Sequence, residues 1–418
     1  MKIVFLIAVL LAAAVVVGII VSRRKDRRAG PSGPPARLAG PASGAGGTAD
    51  AATPDEAPFA AGSDAAPMPE LAGLRTLPRL AGAVGAMSIS LDGREVLAIH
   101  GTESATLLDC ATGAVLKTWS DICPPGMLEH FSNASFVHCG SRRLMVESHD
   151  DSDGQDRTTN YLIDLDKQSV NPIYDVEDGG DAIATGSVSG DGRFFAGFVV
   201  YGKEHPLLNL ELGRRDSFGD HQLEPGTLWQ PTAMSRDGRW FATDQGDDDV
   251  YIFERKPYVY QGEPDGETLG FYFAATCETS PIALDFSEDG QSLLIVQDDG
   301  AIVIVDLAAK SCRTIAPFGE ADDTGEGRAV VDATWLNGRN QAMARLDAPA
   351  PGVALIDLEG AGGVLREWPL TAELTARLLI ARTGGFGLAI GPDHLIHVVP
   401  LLDDDAAAES DAAEAEIG

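Results

Sequence analysis

Thr232-Ala233-Met234-Ser235-Arg236-Asp237-Gly238-Arg239-Trp240-Phe241-Ala242-Thr243 reads as two short β-prone runs meeting at an Asp-Gly step. Glycine takes positive φ without steric cost, so Asp-Gly between such runs predicts a tight hairpin. An acidic turn, Gly246-Asp247-Asp248-Asp249, leads to a third run, Val250-Tyr251-Ile252-Phe253. The order returns at Ile282 to Ser287, Asp289-Gly290, Leu293 to Val296, Asp298-Asp299-Gly300 and Ile302 to Asp306. A weaker fourth run follows in most copies, as in Ala114 to Trp119 and Gly363 to Trp368.

Gly93, Gly140, Gly192, Gly238, Gly290, Gly338 and Gly385 mark these copies at intervals of 47, 52, 46, 52, 48 and 47 residues. So steady a period marks an array in which each repeat is one supersecondary unit. Four antiparallel strands per repeat predict an all-β fold, a seven-bladed β-propeller of four-stranded antiparallel blades. The turns Ser90 to Arg94, Ser189 to Arg193 and Ser235 to Arg239 share a Ser-x-Asp-Gly-Arg pattern. With the third-strand endings Leu162 to Leu165 and Leu355 to Leu358, they resemble bacterial WD40-like propellers over residues 71–402. The eukaryotic Gly-His and Trp-Asp dipeptides are absent. Such a resemblance implies a fold and leaves activity open.

The last repeat is short, running through Arg377 to Ala381, Gly387 to Ile390 and His394 to Leu401 into the acidic segment 403–418. It lacks a fourth strand, and Leu74-Arg75-Thr76-Leu77 is the natural donor, the alternative being that this segment ends a linker. Upstream, Ile3 to Val21 is apolar, uncharged and long enough to span a bilayer as a helix. It exceeds the usual core of a secretion signal, and basic residues follow it instead of a small-residue cleavage site. Arg23, Arg24, Lys25, Arg27 and Arg28 lie on its far side against Lys2 on the near side. The positive-inside rule therefore predicts a single-pass anchor over residues 1–28 in the inner membrane, with the propeller cytoplasmic. Residues 29–70 are Ala, Pro, Gly and Ser with few large apolar side chains, the composition of a disordered linker.

A formal net charge of −32 over 418 residues argues against a general affinity for nucleic acid. Five scattered cysteines without C-x-x-C spacing fit a reducing compartment. Charge placement is more specific. In an up-and-down blade, the turns joining strands one to two and three to four share one rim, and the other connections share the opposite one. Arg94, Arg142, Arg193, Arg239 and Arg339 fall on the first rim, along with Arg255, Lys256 and Lys310. Asp247, Asp248, Asp249, Asp298 and Asp299 fall on the second. The arginines are candidates to face anionic lipid headgroups, and the aspartates to bind a basic protein partner. Common turn chemistry is the competing reading of both sets.

Catalytic signals are few. The segment 150–156 fails the EF-hand pattern in both its first and twelfth positions. His394 and His397 are three apart, which on a strand sends them to opposite faces. His100 and His149 end equivalent strands of adjacent repeats, where a solvated turn histidine competes with a ligand, and Asp285 and Asp332 lie on inner strands, where a buried structural role competes with ligand binding. Asp109-Cys110-Ala111-Thr112-Gly113 with Trp119 is similar to the Asp-x-x-Thr-Gly turn of quinoprotein propellers. No nucleophile elbow, phosphate loop or zinc-helix motif occurs. The expectation is a membrane-tethered, non-catalytic interaction scaffold without metal or cofactor. The alternative is a lactonase-like or quinoprotein-dehydrogenase-like enzyme with its site at the central channel.

Overall fold

Ser235 shows why each repeat turns where it does. Its hydroxyl donates to Asp237 Oδ1 at 2.7 Å and accepts the Trp240 N–H at 2.9 Å, while Asp237 Oδ1 also accepts the Arg239 N–H at 2.9 Å. Gly238 adopts φ 66° and its N–H closes onto the Ser235 carbonyl at 3.0 Å. A side chain there would meet the Phe194 ring of the preceding repeat at 2.8 Å, so both conformation and packing demand glycine. Ser90 to Asp92, Ser189 to Asp191 and Ser287 to Asp289 repeat the hydroxyl–carboxylate contact at 2.7, 2.6 and 2.7 Å. In the last repeat the residue with positive φ is Gly384, at 78°, rather than the Gly385 that the spacing suggests. Its N–H reaches the Ala381 carbonyl at 2.8 Å, so the turn takes the first of two adjacent glycines.

The structure, a computed structural model, describes residues 73–402 apart from 91, 102–103, 123–130, 140, 151–156, 176–182, 200–205, 219–230, 245–247, 261–262, 320–329 and 348–349. The stretches expected to form a membrane anchor (Ile3 to Val21), a linker (29–70) and an acidic tail (403–418) lie outside the described residues. Among those described, no helix is long and apolar enough to cross a membrane.

The fold is an all-β propeller of four-stranded antiparallel blades. Blade A spans residues 84–119, blade B 131–175, blade C 183–218, blade D 232–276, blade E 281–315 and blade F 330–369, each with its strands in chain order. Blade G is assembled differently. Its strands Leu378–Ile380, Phe386–Ile390 and Ile396–Pro400 take their outer partner from the start of the described chain, Arg75–Thr76. Arg75 pairs with Val398 and Thr76 with His397, and the Leu77 N–H reaches the Ile396 carbonyl at 2.8 Å. The segment anticipated from the missing fourth strand is therefore the one that completes this blade.

First strands of successive blades adjoin, and the apolar cores form between blades. Phe194, Phe241 and Phe253 pack between C and D, Trp240, Phe286 and Val303 between D and E, and Val84 and Val96 of A against Leu388 and Val398 of G. A strand covered on both faces can be apolar at every position, and Leu293 to Val296 are all 0% exposed.

Blade D departs from the repeat. Its third and fourth strands, Asp249–Tyr260 and Glu263–Thr276, pair out to Tyr260 opposite Glu263. Arg255 and Lys256, expected in a turn, thus lie inside the third strand. The second strand begins at Trp240, opposite Glu254, so the ribbon continues beyond the blade edge. It is held there by the Arg255 guanidinium, 4.0 Å from the Phe194 ring centroid of blade C.

Candidate functional site: rims and channel

On the rim carrying the Asp-Gly turns, carboxylates accompany the cations. Arg239 pairs with Glu254 at 2.7 Å, Arg193 with Glu211 at 2.9 Å and Arg255 with Glu267 at 2.6 Å, while Arg236 pairs with Glu288 of the next blade. Arg94 lies 3.9 Å from Asp92. Part of the expected basic charge is offset, since Glu254 lies opposite the start of the second strand of blade D, Glu211 follows the third strand of blade C, and Glu267 and Glu288 reach the rim from a fourth strand and from the next blade. Arg239 also lies over Trp240, 4.7 Å from its ring centroid, covering the edge of the core with its stem. Arg339 sits in the blade F turn, its carbonyl accepting Trp335 Nε1–H at 3.0 Å. Arg142 falls in the strand Ser141–Asp150, and its side chain is outside the described residues.

The opposite rim gathers the candidate aspartates at the junction of blades D and E. Asp248, at φ 64°, accepts the Cys277 N–H on its carbonyl at 2.8 Å and the Ser280 hydroxyl on Oδ1 at 3.1 Å. The Asp298 N–H donates to the Ser280 carbonyl at 3.0 Å, so Ser280 brings Asp248 and Asp298 together. Asp299 Oδ1 accepts the Ala301 N–H at 2.9 Å within its own turn. Asp249 opens the third strand, and its Oδ1 is buried without a hydrogen-bond partner among the described residues. Beneath them Gln297, fully buried, accepts the N–H groups of Glu278 and Thr279 at 2.7 and 3.1 Å. None of Asp248, Asp249, Asp298 and Asp299 forms an ion pair with a described residue. Asp247 lies outside the described residues.

The channel residues take structural roles. Asp285 accepts the Trp335 N–H at 2.7 Å and pairs with Arg382, whose other amine donates to the Phe286 carbonyl at 3.0 Å, tying blades E, F and G together. Burial raises the Asp285 carboxyl, with the Arg382 charge and the Trp335 N–H pulling against it. Burial likewise raises Asp332, which faces Arg345 in strand register. Arg382, Asn337, Ser287 and the Arg236–Glu288 pair line a cavity of about 90 Å³ at one mouth of the channel. That is room for a few waters, well below the few hundred Å³ of a substrate pocket.

His394 lies in a turn at φ 57°, whereas His397 is buried on the adjoining strand. His100, which the sequence suggested as a solvated turn residue, is 3% exposed and bonded through Nε2 to Thr106 Oγ1 at 2.8 Å. The His149 side chain is outside the described residues. Asp109 accepts both the N–H and the hydroxyl of Thr112 at 2.7 Å, and those bonds hold its carboxyl below the ordinary range. Asp164, Asn209, Asp306 and Asp357 cap the equivalent turns of other blades through their own Oδ1. The quinoprotein-like turn is thus a recurrent turn of this propeller. No group of described residues has the makings of a metal site. Sequence reasoning missed Arg382 and the long ribbon of blade D. Its only written trace is the continuing alternation Tyr258-Val259-Tyr260 past the expected turn.

No family model and no curated protein matches the chain. Among solved structures it is similar to the β-propeller domain of Myceliophteria thermophila Cps50 (Swd1), at 13% identity and a TM-score of 0.47, covering 65% of this chain and 82% of that one.

Proposed function

We propose that this chain is a non-catalytic interaction platform. It is a seven-bladed propeller held at the inner membrane by Ile3 to Val21, on the cytoplasmic side, which captures a basic protein partner on the rim that carries Asp248, Asp249, Asp298 and Asp299. One observation carries this reading: Ser280 donates its hydroxyl to the Asp248 carboxylate and accepts the Asp298 backbone N–H on its carbonyl, which draws both aspartates to one place on the rim without an ion-pair partner among the described residues, whereas arginines on the other rim have carboxylate partners. An aspartate anchored by its side chain, as Asp248 is, beside one anchored through its backbone, as Asp298 is, loses less freedom on meeting a cationic partner than two free carboxylates would. The arginine rim is proposed to touch the membrane only weakly, through Arg94, Arg193 and Arg239 of blades A, C and D, because carboxylates offset part of its charge. The enzyme alternative ranks lower, because the polar groups at the channel mouth bind one another around a small cavity.

The test is chemical cross-linking of the full chain in gentle detergent, followed by mapping of the linked residues. Support requires a basic partner linked beside Ser280 and lost from the Asp248→Asn, Asp298→Asn double variant. An unchanged set of partners in that variant would refute the assignment of the rim.

A further inference from the structure

Between the outer parts of blades E and F, on the rim opposite the acidic one, lies a cleft of about 300 Å³, at the lower end of the size of ligand pockets. Asp306 and Ser311 of blade E line one wall, Glu359 and Asn340 of blade F the other, with Trp335 between them. Asp306 Oδ1 accepts only a turn N–H, from Ala309 at 2.8 Å, and Glu359 Oε1 accepts Asn340 Nδ2 at 2.9 Å. Neither carboxylate has an ion-pair partner among the described residues. The one cation in the lining, Arg313, spends its guanidinium on the Leu358 and Gly360 carbonyls that close the blade F turn. Trp335 is pinned by its Nε1–H bond to the Arg339 carbonyl.

We propose that this cleft receives an arginine side chain of a protein partner. The walls offer two carboxylates and a serine hydroxyl from opposite sides, so they are rich in acceptors. A guanidinium supplies several N–H donors in one plane and a positive charge, and it tolerates an indole wall. A guanidinium between these walls meets acceptors contributed by both blades, so the cleft adds a docking point distinct from the Asp248–Asp298 rim.

Cys312 lies in the same cleft and is exposed, its thiol raised by partial burial, whereas Cys110 and Cys277 are buried with thiols pushed up to about 12 by desolvation. Its modification by neutral methyl methanethiosulfonate, followed on the Cys312 peptide by mass spectrometry in the full chain, therefore reports occupancy. N-acetyl-arginine methylamide at about 10 mM, against a Kd of about 1 mM, should slow modification about tenfold, and the isosteric citrulline compound should not. Asp306→Asn with Glu359→Gln should abolish protection while leaving the melting temperature unchanged, since Asn209 already performs the same turn-capping role in blade C. Asp248→Asn with Asp298→Asn should leave protection intact, which separates this site from the acidic rim. Equal protection by citrulline, no protection by arginine, or protection surviving in the Asp306, Glu359 variant would each overturn the proposal.

Discussion

Thr76 Oγ1 lies 3.1 Å from His397 Nδ1, and this contact fastens the outermost strand of blade G to its neighbour. His397 is 2% exposed, and its Nε2 lies 3.2 Å from Asp393 Oδ1. A carboxylate only accepts, so in the neutral ring Nε2 carries the proton and the Thr76 hydroxyl donates to Nδ1. The two-residue strand Arg75–Thr76 is too short to hold by backbone bonds alone, so it depends also on this relay, on the Arg75 guanidinium bonded to the Cys110 and Ala111 carbonyls of blade A, and on the burial of Leu77.

A chain that begins at Gly82 should consequently be much less stable than one that begins at Ala66. Loss of Leu77 alone removes a core side chain worth about 2–5 kcal/mol. Equal melting temperatures for the two chains would show that the strand contributes nothing to closure.

Acid should loosen the same fastening. Burial alone would raise the Asp393 carboxyl, but the Leu395 N–H and the His397 Nε2–H bond outweigh it and hold the group below the ordinary aspartate range. A depressed native pKa contributes stability above the unfolded value near about 4, and that contribution is lost as pH falls through the native value. The protection of the Leu77 amide, taken relative to its intrinsic exchange at each pH, should fall below about pH 4, and Asp393→Asn should flatten that dependence. Protection that stays constant through this range in the unaltered chain would contradict the relay.

Arg382→Ala should destabilise the propeller by about 3–5 kcal/mol, because it leaves the buried Asp285 carboxylate without its cation. Asp285→Asn with Arg382→Met should recover part of the loss, since no unpaired charge remains. The comparison is read from denaturant midpoints. A single variant no worse than the double one would mean that the pair is incidental.

The repeated turn predicts a matched pair of effects in blade D. Ser235→Ala leaves the Trp240 N–H without its acceptor, at a cost of about 1–3 kcal/mol. Gly238→Ala forces a left-handed alanine, at about 1–2 kcal/mol before the contact with Phe194 is counted. Thermal melts of both should fall well below that of Arg236→Ala, whose partner Glu288 is half-exposed.

Topology can be checked independently. A reporter active only in the periplasm, fused after Gly418, should give no signal if Arg23 to Arg28 hold the propeller in the cytoplasm. Clear periplasmic activity would reverse the orientation.

The repeat, its turns and its strand faces were written in the sequence, because they rest on local chemistry. Ser235, Asp237 and Gly238 dictate a turn whatever surrounds them, and a strand buried on both faces declares itself as Leu293 to Val296. Even the closing segment Leu74 to Leu77 could be inferred, as the piece that a repeat lacking one strand requires. Local rules could not show which charges would meet. Glu254 lies 15 residues from Arg239 and Glu288 lies 52 from Arg236, yet strand pairing and blade packing make each pair and offset charges that counting turns had left unpartnered. Tertiary structure alone placed Arg382 against Asp285, 97 residues away, and turned a candidate channel ligand into a tie between blades. The same packing set Asp248 and Asp298 on either side of Ser280, and Asp306 across a cleft from Glu359. Such juxtapositions depend on how neighbouring blades face one another, a relation that no window of sequence contains.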